Sequence, residues 1–374
     1  MKRNTINPRD NWQSKCDAIE FNWHTVDGVE YWRENACYEF TAAEVDAIEA
    51  ATQELHDMCM EHVKDVVERG DYAGYNLSTH ARELVEQSWR NGDNHILGRF
   101  DLALIQGDNL AIKMLEYNAD TPTSLYEAAV VQWRWLEDLQ LPDQFNSIHE
   151  KLVQAWREQP NEHVHFCAMQ YAGPEDWGTV SYIAQTAADA GKGVSTLSME
   201  DIGWDGYNQF LDLNNRNIDA CFKLYPWEWL MQDQYGLYVA QANTAWYEPA
   251  WKMLLSTKAL LPLLYAKHPN HPNLLPSYFD NGTPVSQGKW IRKPLLSREG
   301  ANIAVVEPGR TENLSGENVN PAYAENGYVL QEYADITKFD GYIPVIGSWV
   351  IGDNAAGMGI REDQGVTGNR SCFV

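Results

Sequence analysis

Two short polar segments stand close together in the chain, Arg99-Phe100-Asp101 and Glu116-Tyr117-Asn118. The first segment begins the stretch 99–105, and the second overlaps the end of the stretch 110–117. Both stretches have the composition of strands. Gly107-Asp108 suits the two central positions of a type II′ turn, so the sequence predicts a β-hairpin. In that hairpin residue 105 would face 110, residue 101 would face 114 and residue 99 would face 116.

Arg99, Asp101, Glu116 and Asn118 would share one face of this hairpin, because side chains alternate between the two faces of a strand. A one-residue change in loop length would break this register. Carboxylate and amide oxygens suit Mg²⁺, which often shares them with substrate phosphates. An adjacent arginine suits phosphate or a developing phosphoryl transition state. A solvated hairpin face with ordinary ion pairs explains the same residues, so both interpretations stay open here.

Three later segments have residue types that suit a nucleotide site. A strand ends at Lys293 and leads to a loop with Gly300, where backbone N–H groups could approach phosphate oxygens. The strand with Gln331 leaves into a polar connection that could contact an adenine edge. The Gly-rich stretch 352–363, which contains Arg361, has the flexibility of a lid. Each segment alone is equally compatible with an ordinary loop or strand end.

The composition excludes several classes of protein. The 28 Lys and Arg residues stand against 53 Asp and Glu, a net charge of −25, so no nucleic-acid partner is expected. Such a balance favours cationic ligands such as amines or polyamines, although solubility alone explains it. The six cysteines have no CxxC spacing, and no stretch approaches a membrane span or a signal peptide. We expect a cytoplasmic protein without a membrane partner.

The elements that must position these residues change along the chain. A capping box at Thr41 and Glu44 predicts a helix to about Gly70, and a second box at Ser124 and Glu127 predicts a helix after the hairpin. Other predicted helices cover 79–90, 148–156, 175–190 and 249–265. Strands at 163–169, 194–197 and 218–224 alternate with helices and indicate a parallel α/β region. Strands at 289–293, 302–306, 327–333 and 342–351 indicate a turn-rich antiparallel region.

In their order and spacing these segments resemble the synthetase domain of the glutathionylspermidine synthetases, over nearly the whole chain. The resemblance rests on Arg99-Phe100-Asp101, Glu116-Tyr117-Asn118-Ala119-Asp120, the Lys293-Pro294 strand with its Gly300 loop, and the Gln331 strand. It implies an α+β and α/β structure of the ATP-grasp type, in which two lobes clamp ATP. It also implies the ATP-dependent joining of a small-molecule acid to an amine.

The same resemblance implies three lobes of one synthetase unit. N-terminal helices and the metal-site hairpin would occupy residues 1–145, and a substrate-side α/β region would occupy 146–245. A nucleotide-binding lobe with its lid would occupy 246–374. The bifunctional relatives carry an N-terminal amidase domain, for which this chain has no room, and residues 200–250 cannot be matched to their substrate loops. Glutathione and spermidine are therefore left open as substrates.

Roles for individual residues also follow from the resemblance. Asp101 and Glu116 would bind one Mg²⁺, and Glu116 with Asn118 a second. Arg99 and Arg361 would act on the transferring phosphoryl group. The implied ATP contacts are Arg99, Phe100, Asp101, Lys258, Lys293, Gly300, Gln331 and Val366. The implied substrate contacts are Asp120, Ser124, Glu175 and Asp176, although the last two acids suit the first turn of any helix.

Two other classes of protein compete with the ligase. A carbohydrate-active hydrolase would use the 15 Trp and 19 Tyr residues for sugar stacking and paired carboxylates for acid catalysis. It leaves the pattern of Lys258, Lys293 and Gly300 unexplained. A non-catalytic protein that binds Mg-nucleotide or polyamine would keep the pocket without turnover, and the presence of Arg99 beside the metal-side residues argues against it.

Overall fold

The longest helix begins at the predicted capping box. In the computed structural model, which describes residues 1–107, 109–141, 143–298, 300–315, 319–365, 368 and 371–374, the Thr41 hydroxyl accepts a hydrogen bond from the N–H of Glu44. The Glu44 carboxylate accepts one from the N–H of Thr41 in return. These bonds satisfy N–H groups that the first helical turn leaves unpaired. The helix ends at Gly70, where a φ of 66° favours glycine.

Helices of three kinds occur among the described residues. The α-helices are Trp12–Ala18 (α1), Ala42–Arg69 (α2), Thr79–Asn91 (α3), Gln132–Leu139 (α4), Ile148–Glu158 (α5), Pro174–Asp189 (α6), Trp227–Leu230 (α7) and Leu260–Lys267 (α8). A π-helix covers Glu127–Val131, and the 3₁₀-helices are Met199–Asp201, Gly236–Gln241, Ala250–Leu254 and Pro321–Ala324. The predicted helices at 79–90, 148–156 and 175–190 are thereby confirmed as α3, α5 and α6.

Strands form the rest of the regular architecture among the described residues. In chain order they are Lys2–Thr5 (β1), Thr25–Val26 (β2), Val29–Glu30 (β3), Ala36–Glu39 (β4), Leu97–Ile105 (β5), Ala111–Asn118 (β6), His163–Ala168 (β7), Gly193–Ser198 (β8), Gly203–Trp204 (β9), Phe210–Leu211 (β10), Ala220–Lys223 (β11), Ala245–Tyr247 (β12), Ser277–Phe279 (β13), Trp290–Pro294 (β14), Ala304–Glu307 (β15), Arg310–Asn313 (β16), Tyr328–Glu332 (β17), Ile343–Ile351 (β18), Asn354–Asp363 (β19) and Cys372–Phe373 (β20).

Three larger sheets carry the fold. The hairpin β5–β6 joins the C-terminal strands in an antiparallel sheet of order β20-β19-β18-β5-β6. A second antiparallel sheet has the order β13-β17-β14-β15-β16. The third sheet, β12-β11-β7-β8, is parallel throughout, as the alternation of helices and strands predicts. The structure is therefore a mixed helix-and-sheet fold.

The predicted hairpin exists, but its register differs from the prediction. Residue 105 pairs with 111 instead of 110, which lengthens the connection, and the predicted turn residue Asp108 lies outside the described residues. A β-bulge between Asp101 and Leu102 shifts the pairing once more, so Asp101 pairs with Glu116 and Arg99 with Asn118. The two shifts of one residue each add up to a shift of two residues in the pairing. Side chains two residues apart on a strand lie on the same face. The predicted common face is therefore retained.

Three local predictions are wrong. Ser124 has a left-handed φ of 68°, whereas an N-cap residue is extended, so its predicted capping box does not form. The expected helix over 249–265 is divided into the 3₁₀-helix and α8, with Lys258 between them. The stretch 352–363 is mostly strand β19 instead of a loop, because β18 provides a paired neighbour for its backbone.

Three hydrophobic clusters hold these layers together. One packs α2 and α3 against the hairpin sheet through residues such as Leu55, Val63 and Phe100. A second lies between the parallel sheet and helices α5 and α6, around Trp156 and Phe166. A third joins N-terminal aromatic residues to Phe373. Among the described residues, no helix has the length and apolar character needed to cross a membrane.

Candidate active site

A cavity of about 630 Å³ opens where the hairpin sheet meets the second antiparallel sheet. Its walls include thirteen of the residues singled out from the sequence, which come from six separate parts of the chain. These are Arg99, Asp101, Glu116, Asn118, Asp120, Ser124, Glu175, Asp176, Lys258, Lys293, Gly300, Gln331 and Arg361. The fold thus brings together residues that lie more than 250 positions apart.

Asp101 is fixed between Arg99, on its own strand β5, and Arg361, on β19, which lies beyond β18 in the same sheet. Arg99 donates from Nε to Asp101 Oδ1 over 2.8 Å, and Arg361 donates from Nη2 to Asp101 Oδ2 over 2.7 Å. Arg99 also donates to the Thr123 carbonyl over 2.6 Å. Strand β5 carries the first pair, and β19 brings Arg361 to the same face through β18. The guanidinium groups are therefore held at the cavity wall before any ligand arrives.

Glu116 lies opposite Asp101 and faces two lysines from the other side of the cavity. Lys258 Nζ is 3.3 Å from Glu116 Oε2. Burial acts to raise the pKa of Glu116, but Lys258, Lys293 and Arg99 outweigh it and lower that pKa to about 2. Burial lowers the pKa of Lys293 to about 8, although Glu116 opposes that change. Glu116 is consequently ionised throughout the neutral range.

Asp101, Glu116 and Asn118 form a donor set that fits Mg²⁺. The two carboxylates are direct partners in the antiparallel ladder, where like charges repel and a nearby cation is favourable. Asn118 Nδ2 lies 3.5 Å from Glu116 Oε1, which brings an amide group to the same place. Hard oxygen donors in small number suit Mg²⁺, which keeps several waters or phosphate oxygens.

Lys293 and Gln331 are neighbouring buried side chains at the cavity wall. Lys293 Nζ donates to Gln331 Oε1 over 2.8 Å and to the Leu115 carbonyl over 3.0 Å. Gln331 Nε2 donates to the Met114 carbonyl over 3.0 Å. Both the oxygen and the nitrogen of the Gln331 side-chain amide thus already have hydrogen-bond partners in the protein. If this strand contacts an adenine base, the contact would come from its backbone groups. The side chain instead holds Lys293 in place.

The predicted glycine loop lies beside Lys258. Lys258 donates from its backbone N–H to the Leu295 carbonyl over 2.9 Å and from Nζ to the Ser297 carbonyl over 3.1 Å. Gly300 lines the cavity with a φ of 69°, in the left-handed region that favours glycine. The break between the two helices near Lys258 therefore lets this lysine reach both the loop and Glu116.

The substrate-side candidates have mixed surroundings. Asp120 is buried and accepts from Lys223 Nζ over 2.7 Å and from the Trp227 N–H over 2.8 Å. Ser124 donates to Glu175 over 3.1 Å, and Asp176 lines the same wall. Asp120 thus has a clear structural role, whereas Ser124 and the two acids form a polar, negatively charged end of the cavity.

Two further ATP contacts, Phe100 and Val366, are implied by the resemblance. The ring of Phe100 is fully buried on the opposite face of β5, stacked on Tyr117 with 3.8 Å between ring centroids. Its side chain does not line the cavity, as the alternation of the strand requires. Val366 lies outside the described residues. For both residues the ATP contact stays a prediction.

Sequence reasoning missed Lys223 and Arg298. Lys223 ends an apolar strand, and a charged residue at such a strand end is a signal that could have been noticed. Arg298 Nη1 donates to Thr121 Oγ1 over 2.9 Å and so links the glycine loop to the end of the hairpin. Arg298 stands inside the segment already singled out for phosphate binding, but only the fold shows its partner.

Comparison with known proteins gives matches over nearly the whole chain. The family model described as glutathionylspermidine synthase preATP-grasp matches residues 3–374. A Haemophilus influenzae protein, provisionally described as an acid–amine ligase, is 47% identical over 95% of this chain and 92% of its own length.

Two more distant relatives are larger proteins. Trypanothione synthetase of Crithidia fasciculata is 27% identical over 86% of this chain and 53% of its own length. The bifunctional glutathionylspermidine synthetase/amidase of Escherichia coli K12 is 25% identical over 87% and 56%. The chain therefore spans about half the length of either relative. A solved glutathione synthetase-like effector from Globodera pallida shares the fold, with a TM-score of 0.55, 11% identity, and coverage of 98% of this chain and 96% of its own.

Proposed function

The chain belongs to the glutathionylspermidine synthase preATP-grasp family, and we propose that it is an ATP- and Mg²⁺-dependent ligase that joins a small-molecule acid to an amine. Its named relatives are an acid–amine ligase and synthetases, which supports an amide-forming ligase. The proposed fold type is ATP-grasp, with the nucleotide between the hairpin sheet and the sheet that carries Lys293. ADP and phosphate are the proposed products.

The opposed pair Asp101 and Glu116 is the observation that carries this proposal. The two carboxylates share a cavity wall with Arg99 and Arg361. Lys293 approaches from the second sheet, and Lys258 approaches from the segment between the 3₁₀-helix Ala250–Leu254 and α8. Phosphoryl transfer requires charge neutralisation and positioning more than covalent catalysis, and this arrangement provides both. Asp101, Glu116 and Asn118 would hold Mg²⁺, which neutralises phosphate charge when bound.

The chain's own residues have defined tasks in the proposed reaction. Lys293 and Lys258 bind phosphate oxygens, and Arg99 with Arg361 orients the γ-phosphoryl group. The substrate carboxylate attacks that phosphorus and releases ADP, which gives an acyl phosphate. The amine then attacks the acyl carbon, phosphate leaves, and the amine nitrogen loses a proton. Residues that close the cavity exclude water, which would otherwise hydrolyse the acyl phosphate.

The acidic end of the cavity supports a cationic amine as one substrate. Glu175 and Asp176 lie there with Ser124, and the whole chain has a net charge of −25. Such a field attracts cations to a cleft. The names of the relatives include glutathionylspermidine and trypanothione, and we extend to this chain only the general class of substrates, a small acid and a polyamine-like amine.

A hydrolase using the same carboxylates is disfavoured on electrostatic grounds. Glycoside hydrolysis needs one carboxyl group with a raised pKa to protonate the leaving oxygen. The pKa of Glu116 is lowered to about 2 by its lysine and arginine neighbours despite its burial. Glu116 is thus a permanent carboxylate, which suits a cation ligand and does not suit a general acid.

A product-resolved screen tests the proposal. Purified protein with Mg-ATP is incubated with pairs of carboxylic acids and amines, ADP release is followed, and the amide is identified by its mass. We expect a pair-dependent signal that Glu116→Gln lowers by at least about 10²-fold, because charge at the phosphoryl site is lost. Glu83→Gln, an exposed change on α3, is the matched control. Failure of every pair, or equal activity of Glu116→Gln and wild type, would contradict the proposal.

A further inference from the structure

A second group of ligand-type side chains lies on the face of the hairpin sheet opposite the cavity. His56 comes from α2, His95 precedes β5, and Asp353 stands in the turn between β18 and β19. The Nε2 atoms of both histidines lie 3.1 Å from the same atom, Asp353 Oδ1. One ligand atom from each of the three residues falls within 4.8 Å of the others.

The three segments are tied to one another by their backbones. The N–H of Gly352 donates to the Ile96 carbonyl over 2.8 Å, which fixes the turn beside His95. Gln53 Nε2 donates to the Asp353 carbonyl over 2.8 Å, and Gln53 lies one helical turn before His56. The site is thus held by hydrogen bonds that do not use the candidate ligand atoms, as a preorganised site requires.

We propose that His56, His95 and Asp353 form a binding site for a divalent transition-metal ion, and that Zn²⁺ is the ion this site fits best. Zinc–ligand distances of about 2.0–2.1 Å separate neighbouring tetrahedral ligands by about 3.3 Å, close to the two 3.1 Å separations here. Imidazole ligands select Zn²⁺ and its neighbours over Mg²⁺. The side chain of Asp353 is 72% exposed, so the ion has a path from solvent and room for a water ligand.

Such an ion would connect α2, the start of β5 and the β18–β19 turn. His56 Nδ1 lies 3.4 Å from the Tyr117 hydroxyl, and the Tyr117 ring stacks on Phe100, which stands between Arg99 and Asp101. The metal would therefore stiffen the strand that carries the opposed carboxylates, from the side away from the cavity. This structural ion would be separate from any metal ion held by Asp101 and Glu116.

Cobalt and zinc titrations test the site. Full-length protein is stripped with chelator and titrated with Co²⁺, whose visible spectrum reports coordination, and with Zn²⁺ by calorimetry. We expect one bound ion in wild type and in Glu116→Gln, which removes the other metal candidate. His163→Ala, an exposed histidine at the parallel sheet, is expected to bind like wild type.

In Asp353→Ala and in His95→Ala the dissociation constant is expected to rise at least 100-fold. Asp353 is exposed, so Asp353→Ala should keep the fold, and circular dichroism in chelator checks this. Absence of a bound ion in wild type would overturn the proposal. Equal binding by wild type and the two site variants would overturn it as well, because the three side chains would then be only a hydrogen-bonded cluster.

Discussion

Asp101 and Glu116 each meet positively charged side chains at the cavity wall. Asp101 is held by Arg99 and Arg361, and Glu116 faces Lys258. These ion pairs keep carboxylates and cations in fixed positions, because each buried partner would be costly to leave alone. A ligand that carries both a metal ion and phosphates can exchange partners with both sets, which is how this charge pattern serves the proposed chemistry.

The lowered pKa of Lys293 predicts how the affinity for nucleotide depends on pH. Burial lowers its pKa to about 8, and phosphates favour the protonated form. Affinity for Mg-ATP should therefore be high below pH 8 and fall as the pH rises, by up to about tenfold per unit above 8. Phosphate groups, with a second pKa of about 6, and Glu116, with its pKa of about 2, stay ionised over this range.

Isothermal titration from pH 7.5 to 9.5 measures this dependence. Lys293→Met should bind weakly and lose the decline, whereas Lys64→Met, an exposed change on α2, should retain it. A decline that persists unchanged in Lys293→Met would assign the titration to another group.

The buried ion pair between Asp120 and Lys223 predicts that substitution of Asp120 lowers the stability of the protein and does not affect catalysis alone. Its carboxylate and Lys223 are both almost fully buried and 2.7 Å apart. Asp120→Asn leaves the Lys223 charge without its partner, which costs about 3–5 kcal/mol of unfolding free energy. Urea unfolding should show this loss, while Asp233→Asn, an exposed acid that accepts from Tyr225, should change little. A stable Asp120→Asn with lost activity would instead support the substrate contact.

At the scale of elements, the bulge in the β5–β6 pairing, where Leu115 of β6 is the extra residue, decides which side chains reach the cavity. The loop adds one residue to the predicted register and the bulge adds another, so Arg99, Asp101, Glu116 and Asn118 return to a common face. Strand alternation is a local property and could be predicted from the sequence. The bulge lies beside the paired residues Asp101 and Glu116, and no residue pattern marks it, because its position depends on how the paired strands of this sheet fit together.

The close approach of Arg99 to Gly347 on β18 predicts that a methyl group at this position impairs catalysis without lowering stability. It pairs with Asp101, and a Cβ placed there would lie 2.9 Å from Arg99 Cδ. Gly347→Ala should displace the guanidinium from Asp101 and lower kcat by about 10- to 100-fold, with a melting temperature near that of wild type. Gly203→Ala, where a Cβ has ordinary contacts at 3.7 Å, is the control. A large loss of stability in Gly347→Ala would show that the site is not what the methyl group disturbs.

The other element-scale errors have tertiary causes. The helix over 249–265 is interrupted where Lys258 and its neighbours turn to the carbonyls of Leu295 and Ser297, almost forty residues away. The glycine-rich 352–363 becomes strand because β18 pairs along its length. Thr41 and Gly70, in contrast, act through bonds within one turn, so the bounds of α2 could be predicted well.

At the scale of the molecule, the hairpin sheet joins distant parts of the chain. β5 pairs with β18 about 250 residues later, so segments assigned to the first and third predicted lobes share one sheet. The three-lobe division itself stays a prediction. Individual motifs could be predicted to belong to one site through the family resemblance, but local patterns could not have shown that Arg361 contacts Asp101.

Because the cavity wall comes from separate sheets, a bound nucleotide should protect them together. Residues 119–124 follow the hairpin, and residues 295–298 follow β14, yet both line the cavity. Ligand that contacts both must leave before either segment opens, so at ten times its dissociation constant exchange should slow about tenfold in each. Hydrogen–deuterium exchange with Mg-ATP measures the two segments in one experiment. ATP without Mg²⁺, and Glu116→Gln with Mg-ATP, should protect neither to this extent. Protection of 295–298 alone would mean that the nucleotide does not reach the carboxylates, and the two-sided site would be wrong.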